Sequence, residues 1–321
     1  MHLHSIFELI LSIDSDKFPK IFDQVYNTFE CVDENQYADY ALASKGITVL
    51  YQDNQYKKKI KMIVNPFRLL DSDSPDPDKL IRKLEKRIRV YFNSKYQLDD
   101  FELSGMTITT DIDVRSSERV SDYMKVLQRI GKVKGFSPSR DNWLDDDTGI
   151  CYYGNSNDIA FKLYDLEALH GEEPSDDFFN IEQPEDYGGL LRAEVRLMKP
   201  KAIRGYTKKS SISKQIADLH DDRQKIFLET FLRIVPFGDF YKKGKAEEII
   251  RVKVGDATIR RRMLRLVELI PDKKSLLLAQ KAMNYRRIDK VMKAFFDIEV
   301  APITISKRHD IRKLDNLYNY L

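Results

Sequence analysis

The chain has 321 residues, 42% hydrophobic and 33% charged, with a formal net charge of +3; this balance excludes a disordered protein and allows two domains. No apolar run approaches the ~20 residues that span a bilayer, and Met1-His-Leu-His lacks the basic end of a signal peptide. Two cysteines, Cys31 and Cys151, cannot build a structural zinc site, so a reducing cytoplasm without a membrane partner is the expected setting.

Taken in order, a first strand is predicted over residues 6–13. A helix follows over 16–29, with Asp16 as cap and Ile21, Phe22, Val25 and Phe29 at helical spacing. Residues 46–51 and 59–64 read as a hairpin ended by Asn65-Pro66. A loop with Pro75 and Pro77 opens a helix whose Leu80, Ile81, Leu84, Ile88 and Tyr91 form an apolar stripe. A strand over 101–114 precedes a helix over 117–130 that Gly131 stops. The stretch 148–164 is a second hairpin turning at Gly154-Asn-Ser-Asn. Its outgoing arm sets Ile159, Phe161 and Leu163 on one face and Ala160, Lys162 and Tyr164 on the other. After a short helix and an acidic loop over 171–188, the run 189–197 alternates Leu191, Ala193, Val195 and Leu197 against Arg192, Glu194 and Arg196. Hairpins alternating with single helices fit an α+β fold, an antiparallel sheet with helices on one face.

From Lys201 onward there are 28 Lys and Arg against 15 Asp and Glu, a net of +13 that leaves residues 1–200 at −10. Helices are predicted over 224–235, 245–252, 257–270, 274–283, 286–296 and 305–321, broken by Pro236, Gly244, Gly255, Pro271 and Pro302. The expectation is therefore an acidic domain over 1–200 and a helical, basic, DNA-binding one over 201–321. Arg260, Arg261, Arg262 and Arg265, with Arg286 and Arg287, are the densest basic clusters. Arg261 and Arg265 lie one turn apart and suit successive phosphates; a merely solvated face is the alternative. The tight turns are compatible with a helix-turn-helix-like module, though no spacing demands one.

The order Tyr152-x-Gly-x-Ser156, a strand ending Leu163-Tyr-Asp165, and Arg192-x-Glu-Val195 resembles the rolling-circle replication initiators, both plasmid Rep proteins and filamentous-phage gene II/X replication proteins. Upstream, Lys61-Met-Ile-Val-Asn-Pro66 resembles the family's strand ending in Asn-Pro, and Thr107-Ile-Thr-Thr-Asp-Ile-Asp113 its acidic strand. The resemblance covers roughly residues 45–200. It implies a palm-like sheet of the HUH nuclease type that nicks and rejoins one strand of single-stranded or supercoiled origin DNA. DNA and a host helicase would be its partners, and an oligomer is allowed. Tyr164 would be the nucleophile, forming a phosphotyrosine ester, with Lys162 beside it and Arg192 contacting DNA. Asp111, Asp113 and Glu194 would hold Mg²⁺ or Mn²⁺. The chain departs from the pattern at Thr107, where an acidic residue is expected, and at Leu166, where lysine is common. Those departures favour a runner-up, a non-catalytic DNA-binding regulator on the same scaffold. A third reading is a helical interaction protein that binds an acidic protein partner. His2-Leu3-His4 matches the superfamily's His-hydrophobic-His signature. That signature belongs on a central strand, however, and this pair sits at a terminus expected to fray, so it is left out of the site.

Overall fold

The computed structural model describes residues 1–14, 29–33, 36–54, 57–139, 148–170 and 187–321. Of the helix expected over 16–29 only Phe29 is described, and it begins a strand; the rest of it and most of the acidic loop over 171–188 lie outside the described residues. Ten strands build one sheet: β1 (His4–Ile13), β2 (Phe29–Asp33), β3 (Gln36–Asp39), β4 (Ile47–Asn54), β5 (Lys57–Val64), β6 (Glu102–Asp113), β7 (Phe136–Ser139), β8 (Gly149–Gly154), β9 (Ile159–Asp165) and β10 (Leu190–Leu197). Their order is β2-β3-β4-β5-β1-β6-β10-β9-β8-β7, antiparallel at every step. The α+β class with a large antiparallel sheet is as expected. β1 runs through its middle, with Phe7 opposite Val64 of β5 on one side and Met106 of β6 on the other.

Side-chain alternation decides which face is dry. Phe7, Leu9, Leu11, Met106, Ile108, Ile112, Phe161, Leu163, Leu191, Ala193 and Val195 all enter one buried core, because every second residue of a strand points the same way. After α1 (Pro66–Leu70), α2 (Pro77–Tyr91) begins with Pro77 in its first turn and Asp76 Oδ1 accepting the Lys79 N–H at 2.8 Å. It buries Leu80, Leu84 and Ile88, and its last residue sets the Tyr91 hydroxyl 2.9 Å from that of Tyr51 on β4. α3 (Ser117–Leu127), capped by Ser116, buries Val120, Tyr123, Met124, Val126 and Leu127 against the β8–β9–β10 half.

Past α4 (Leu166–His170) and β10, the chain forms α5 (Pro200–Tyr206), α6 (Ile212–Asp221) and α7 (Arg223–Ile234). Phe231 of α7 meets Phe161 of β9 edge-on, ring centroids 5.8 Å apart. The rest is β11 (Phe240–Tyr241), α8 (Lys243–Lys253), α9 (Ala257–Lys273), α10 (Leu276–Ala282), α11 (Ile288–Asp297) and β12 (Lys313–Leu314). The apolar core runs unbroken from Leu3 to Leu317, crossing residue 200.

Two expectations fail in the tail. Residues 305–321 do not form an α-helix: β12 pairs with β11, and Leu317–Tyr320 is a 3-10 turn. Their backbone groups find partners on another segment instead: the Ile305 N–H donates to Tyr241 O at 2.9 Å and the Asn316 N–H to Asp239 Oδ1 at 2.8 Å. Pro271 does not end α9, which runs on to Lys273. The sequence reading also missed β2, β3, β7, β11, α1, α5 and α6. Among the described residues no helix is long and apolar enough to cross a membrane.

Candidate active site

The polar face of the central strands holds the expected residues in a ladder. On β6, Thr107, Thr109, Asp111 and Asp113 share this face; β10 adds Arg192, Glu194 and Arg196, and β9 adds Lys162 and Tyr164. Arg192 stands between Asp111 and Tyr164, and Glu194 between Thr109 and Lys162. Four of the predicted residues therefore form two bonded pairs on adjoining strands. Arg192 forks onto Asp111, with Nε to Oδ1 at 2.7 Å and Nη2 to Oδ2 at 2.8 Å. The Tyr164 hydroxyl donates to Glu194 Oε1 at 2.5 Å.

Burial sets the protonation states. Tyr164 is only 8% exposed and Arg192 4%, while Asp111 is exposed. Burial, then the Glu194 carboxylate, pushes the Tyr164 phenol well above its ordinary value, with Arg192 opposing. Tyr164 thus stands as a neutral phenol donating a hydrogen bond to Glu194. Burial works against the charge of Arg192, but the Asp111 bonds outweigh it and keep the guanidinium protonated. Lys162 lies on the same face but opposite Glu194 rather than Tyr164. Arg192, expected on DNA, is spent on Asp111 in this arrangement.

The three carboxylates expected on one metal ion do not converge. Asp111 is held by Arg192, Glu194 by Tyr164, and Asp113 Oδ1 accepts the Arg115 N–H at 2.7 Å. Asp113 lies four residues along β6 from Thr109, the residue opposite Glu194, which at about 3.3 Å per residue is ~13 Å. Among the described residues no three His, Cys, Asp or Glu side chains gather closely enough to hold an ion. As arranged, these carboxylates do not fit one.

Of the His2-Leu3-His4 motif only His4 lies in a strand, as the first residue of β1 near the middle of the sheet. His4 begins β1 opposite Thr109, and the His2 carbonyl accepts the Thr110 hydroxyl at 2.7 Å. The two imidazoles lie 4.6 Å apart by ring centroid, with the Phe67 ring 4.7 Å from His4. They share the polar face, beside the strand that carries Asp111. The spacing was visible in the sequence, but the strand's place in the sheet was not.

The departures also have places. Thr107 is buried with its hydroxyl unpartnered among the described residues. Leu166, 3% exposed, opens α4 as a buried anchor where a lysine would have to reach solvent. In the tail, Arg260 Nη1 donates to Val254 O at 3.0 Å, Arg262 lies over the Tyr285 ring at 4.8 Å, and Arg265 pairs with Glu268 at 2.5 Å. Arg261, Arg286 and Arg287 are exposed. Comparison with family models, with curated proteins and with solved structures finds no match to this chain.

Proposed function

We propose that the protein is a DNA strand nickase and ligase of the replication-initiator kind, working through Tyr164. The observation that carries this reading is the phenol-to-carboxylate hydrogen bond between Tyr164 and Glu194, with the Arg192 guanidinium on the adjoining rung. A nucleophile hydrogen-bonded to a base is the arrangement covalent catalysis requires. The Tyr164 oxygen would attack a backbone phosphorus while its proton passes to Glu194. The bond to the 3′ oxygen breaks, that oxygen takes a proton from solvent, and the 5′ phosphate remains as a tyrosine ester. Attack by a 3′ hydroxyl returns the phosphate and rejoins the strand. Arg192, turning from Asp111 to the non-bridging oxygens, would stabilise the charge that builds up there.

Glu194 is thereby a base rather than a metal ligand. The expected Mg²⁺ or Mn²⁺ stays in the proposal as an ion that would neutralise phosphate charge, with no ligands assigned to it; no step above depends on it. The palm-like identity of the sheet and a cytoplasmic setting belong to the same proposal. The runner-up, a DNA-binding protein without cleavage, draws on one observation: Asp111 already holds the Arg192 guanidinium by two hydrogen bonds.

The test is a covalent adduct. Wild type, incubated with a library of single-stranded and supercoiled DNA and with Mn²⁺, is expected to yield DNA that stays on the protein in denaturant. Tyr164→Phe should abolish the adduct while keeping the fold, since only the hydroxyl is removed. Glu194→Gln should slow adduct formation by about 10²-fold or more. An adduct that persists in Tyr164→Phe places the nucleophile elsewhere, and none in the wild type promotes the runner-up.

A further inference from the structure

The basic tail has a geometry of its own, away from the sheet face. α8 and α9 are joined by three residues, Val254-Gly255-Asp256. Val254 is buried at the joint, and Ala246 and Ile250 of α8 share a core with Met263, Leu266 and Val267 of α9. Asp256 caps the second helix, Oδ1 accepting the Thr258 N–H at 2.7 Å and the Ile259 N–H at 3.0 Å. Two helices, a three-residue turn and a shared apolar joint are the parts from which a helix-turn-helix is built. Immediately before it, β11 pairs with β12.

The outer stripe of α9 decides what such a unit would bind. Ala257, Thr258, Arg261 and Arg265 are exposed while Met263, Leu266, Val267 and Ile270 face inward. Thr258 to Arg265 spans seven residues, about 10 Å of helix, and a helix is about as wide as the major groove of B-DNA. Residues 243–273 carry nine Lys and Arg against five Asp and Glu. Glu247, Glu248 and Glu268 are taken up by Lys243, Arg251, Lys245 and Arg265. Among the described residues Arg261, Lys253, Arg286 and Arg287 have no acidic partner. Arg262, stacked on Tyr285, links α9 to the segment that carries Arg286 and Arg287.

We infer that α8 and α9 form a reader of double-stranded DNA. Arg261 and Thr258 meet base edges in the major groove, while Lys253, Arg286 and Arg287 hold the flanking phosphates. An arginine can grip the O6 and N7 of guanine with two bonds, so Arg261 selects sequence; the lysine and loop arginines only position the duplex. The partner is therefore duplex rather than single-stranded DNA. This inference stands whether or not Tyr164 cuts.

The experiment selects bound duplexes from a random library with the full chain, then measures affinity for an enriched duplex, a scrambled duplex and the enriched single strand. The enriched duplex is expected to bind about tenfold tighter than the other two. Arg261→Ala should remove that preference and leave scrambled binding nearly unchanged. Lys253→Ala should weaken both duplexes alike and lower the salt slope by about one. Both residues are exposed, so thermal unfolding should be unaltered and serves as the folding control. No enrichment, or equal affinity for the single strand, overturns the inference. Tyr164→Phe should keep the duplex preference: loss of the adduct alone sinks the nicking reading, and loss of duplex preference alone sinks this one.

Discussion

A tyrosine on a strand makes a nucleophile only if its proton has somewhere to go, and here Glu194 is 2.5 Å away. The same rule of paired, satisfied polar groups governs His220, on the sheet's dry side. Its Nδ1 lies 3.3 Å from Ser5 Oγ of β1 and its Nε2 3.0 Å from the Pro75 carbonyl, in a site only 2% exposed. Burial first, then the charge of Arg223, lowers its pKa from 6.5 to about 4. The folded value lies below the unfolded one, so between about pH 6.5 and 4 the unfolded chain binds the extra proton. The stabilisation is complete above the unfolded value and is lost as pH falls through that window. The full loss is on the order of 3 kcal/mol. Urea unfolding at pH 7.5 and 5.0 should show wild type losing more stability than His220→Gln, whose amide can keep both bonds without titrating. Equal losses in the two proteins would remove His220 from the account.

Among the elements, alternation made the strands legible and left their neighbours unread. Residues 159–165 and 190–197 show which side chains share a face, so Lys162 with Tyr164 and Arg192 with Glu194 could be read directly. That Asp111 pairs with Arg192 depends on the register of strands 81 residues apart, which no local window contains. The same gap misjudged His2 and His4: nothing near them says that β1 lies between β5 and β6. In the tail, the helix over 305–321 was inferred from composition, whereas pairing with Phe240–Tyr241 decided it. The turn between α9 and α10 shows such long-range fixing at close quarters. Gly131, at φ +59°, lies so close to it that a Cβ there would meet Lys274 O at 2.3 Å and Ser275 Cα at 2.8 Å. The Leu277 N–H and Ser275 hydroxyl both donate to Lys132 O, at 2.9 and 3.1 Å. Gly131→Ala meets both a strained backbone and a backbone clash, so it should cost more than ~1 kcal/mol in thermal or urea unfolding. A neutral result would mean that this contact yields easily.

For the molecule as a whole, the division of charge at residue 200 does not coincide with a division of packing. Residues 1–200 are net acidic and 201–321 net basic, yet the second stretch covers the sheet built by the first. Phe231 packs on Phe161, and His220 reaches Ser5. The Tyr123 hydroxyl donates to Asp315 O at 2.8 Å, and Arg119 pairs with the Asp315 carboxylate at 2.7 Å. Arg119 and Lys313 together hold the Asp315 carboxyl down to about 2, so this link persists at any pH near neutral. Removing residues 201–321 would therefore uncover an apolar sheet face, at roughly 25 cal/mol for each Å² exposed. The burial lost is large beside the 5–15 kcal/mol by which a domain is stable. A fragment of residues 1–200 is expected to aggregate or to lack a cooperative thermal transition and near-ultraviolet circular dichroism, while the full chain has both. Its polar face keeps Tyr164, Glu194 and Arg192, so adding back purified 201–321 should restore the transition if the two surfaces dock as they do in the intact chain. A fragment that unfolds cooperatively alone would show that the acidic stretch is a domain in its own right, with the helices merely resting on it.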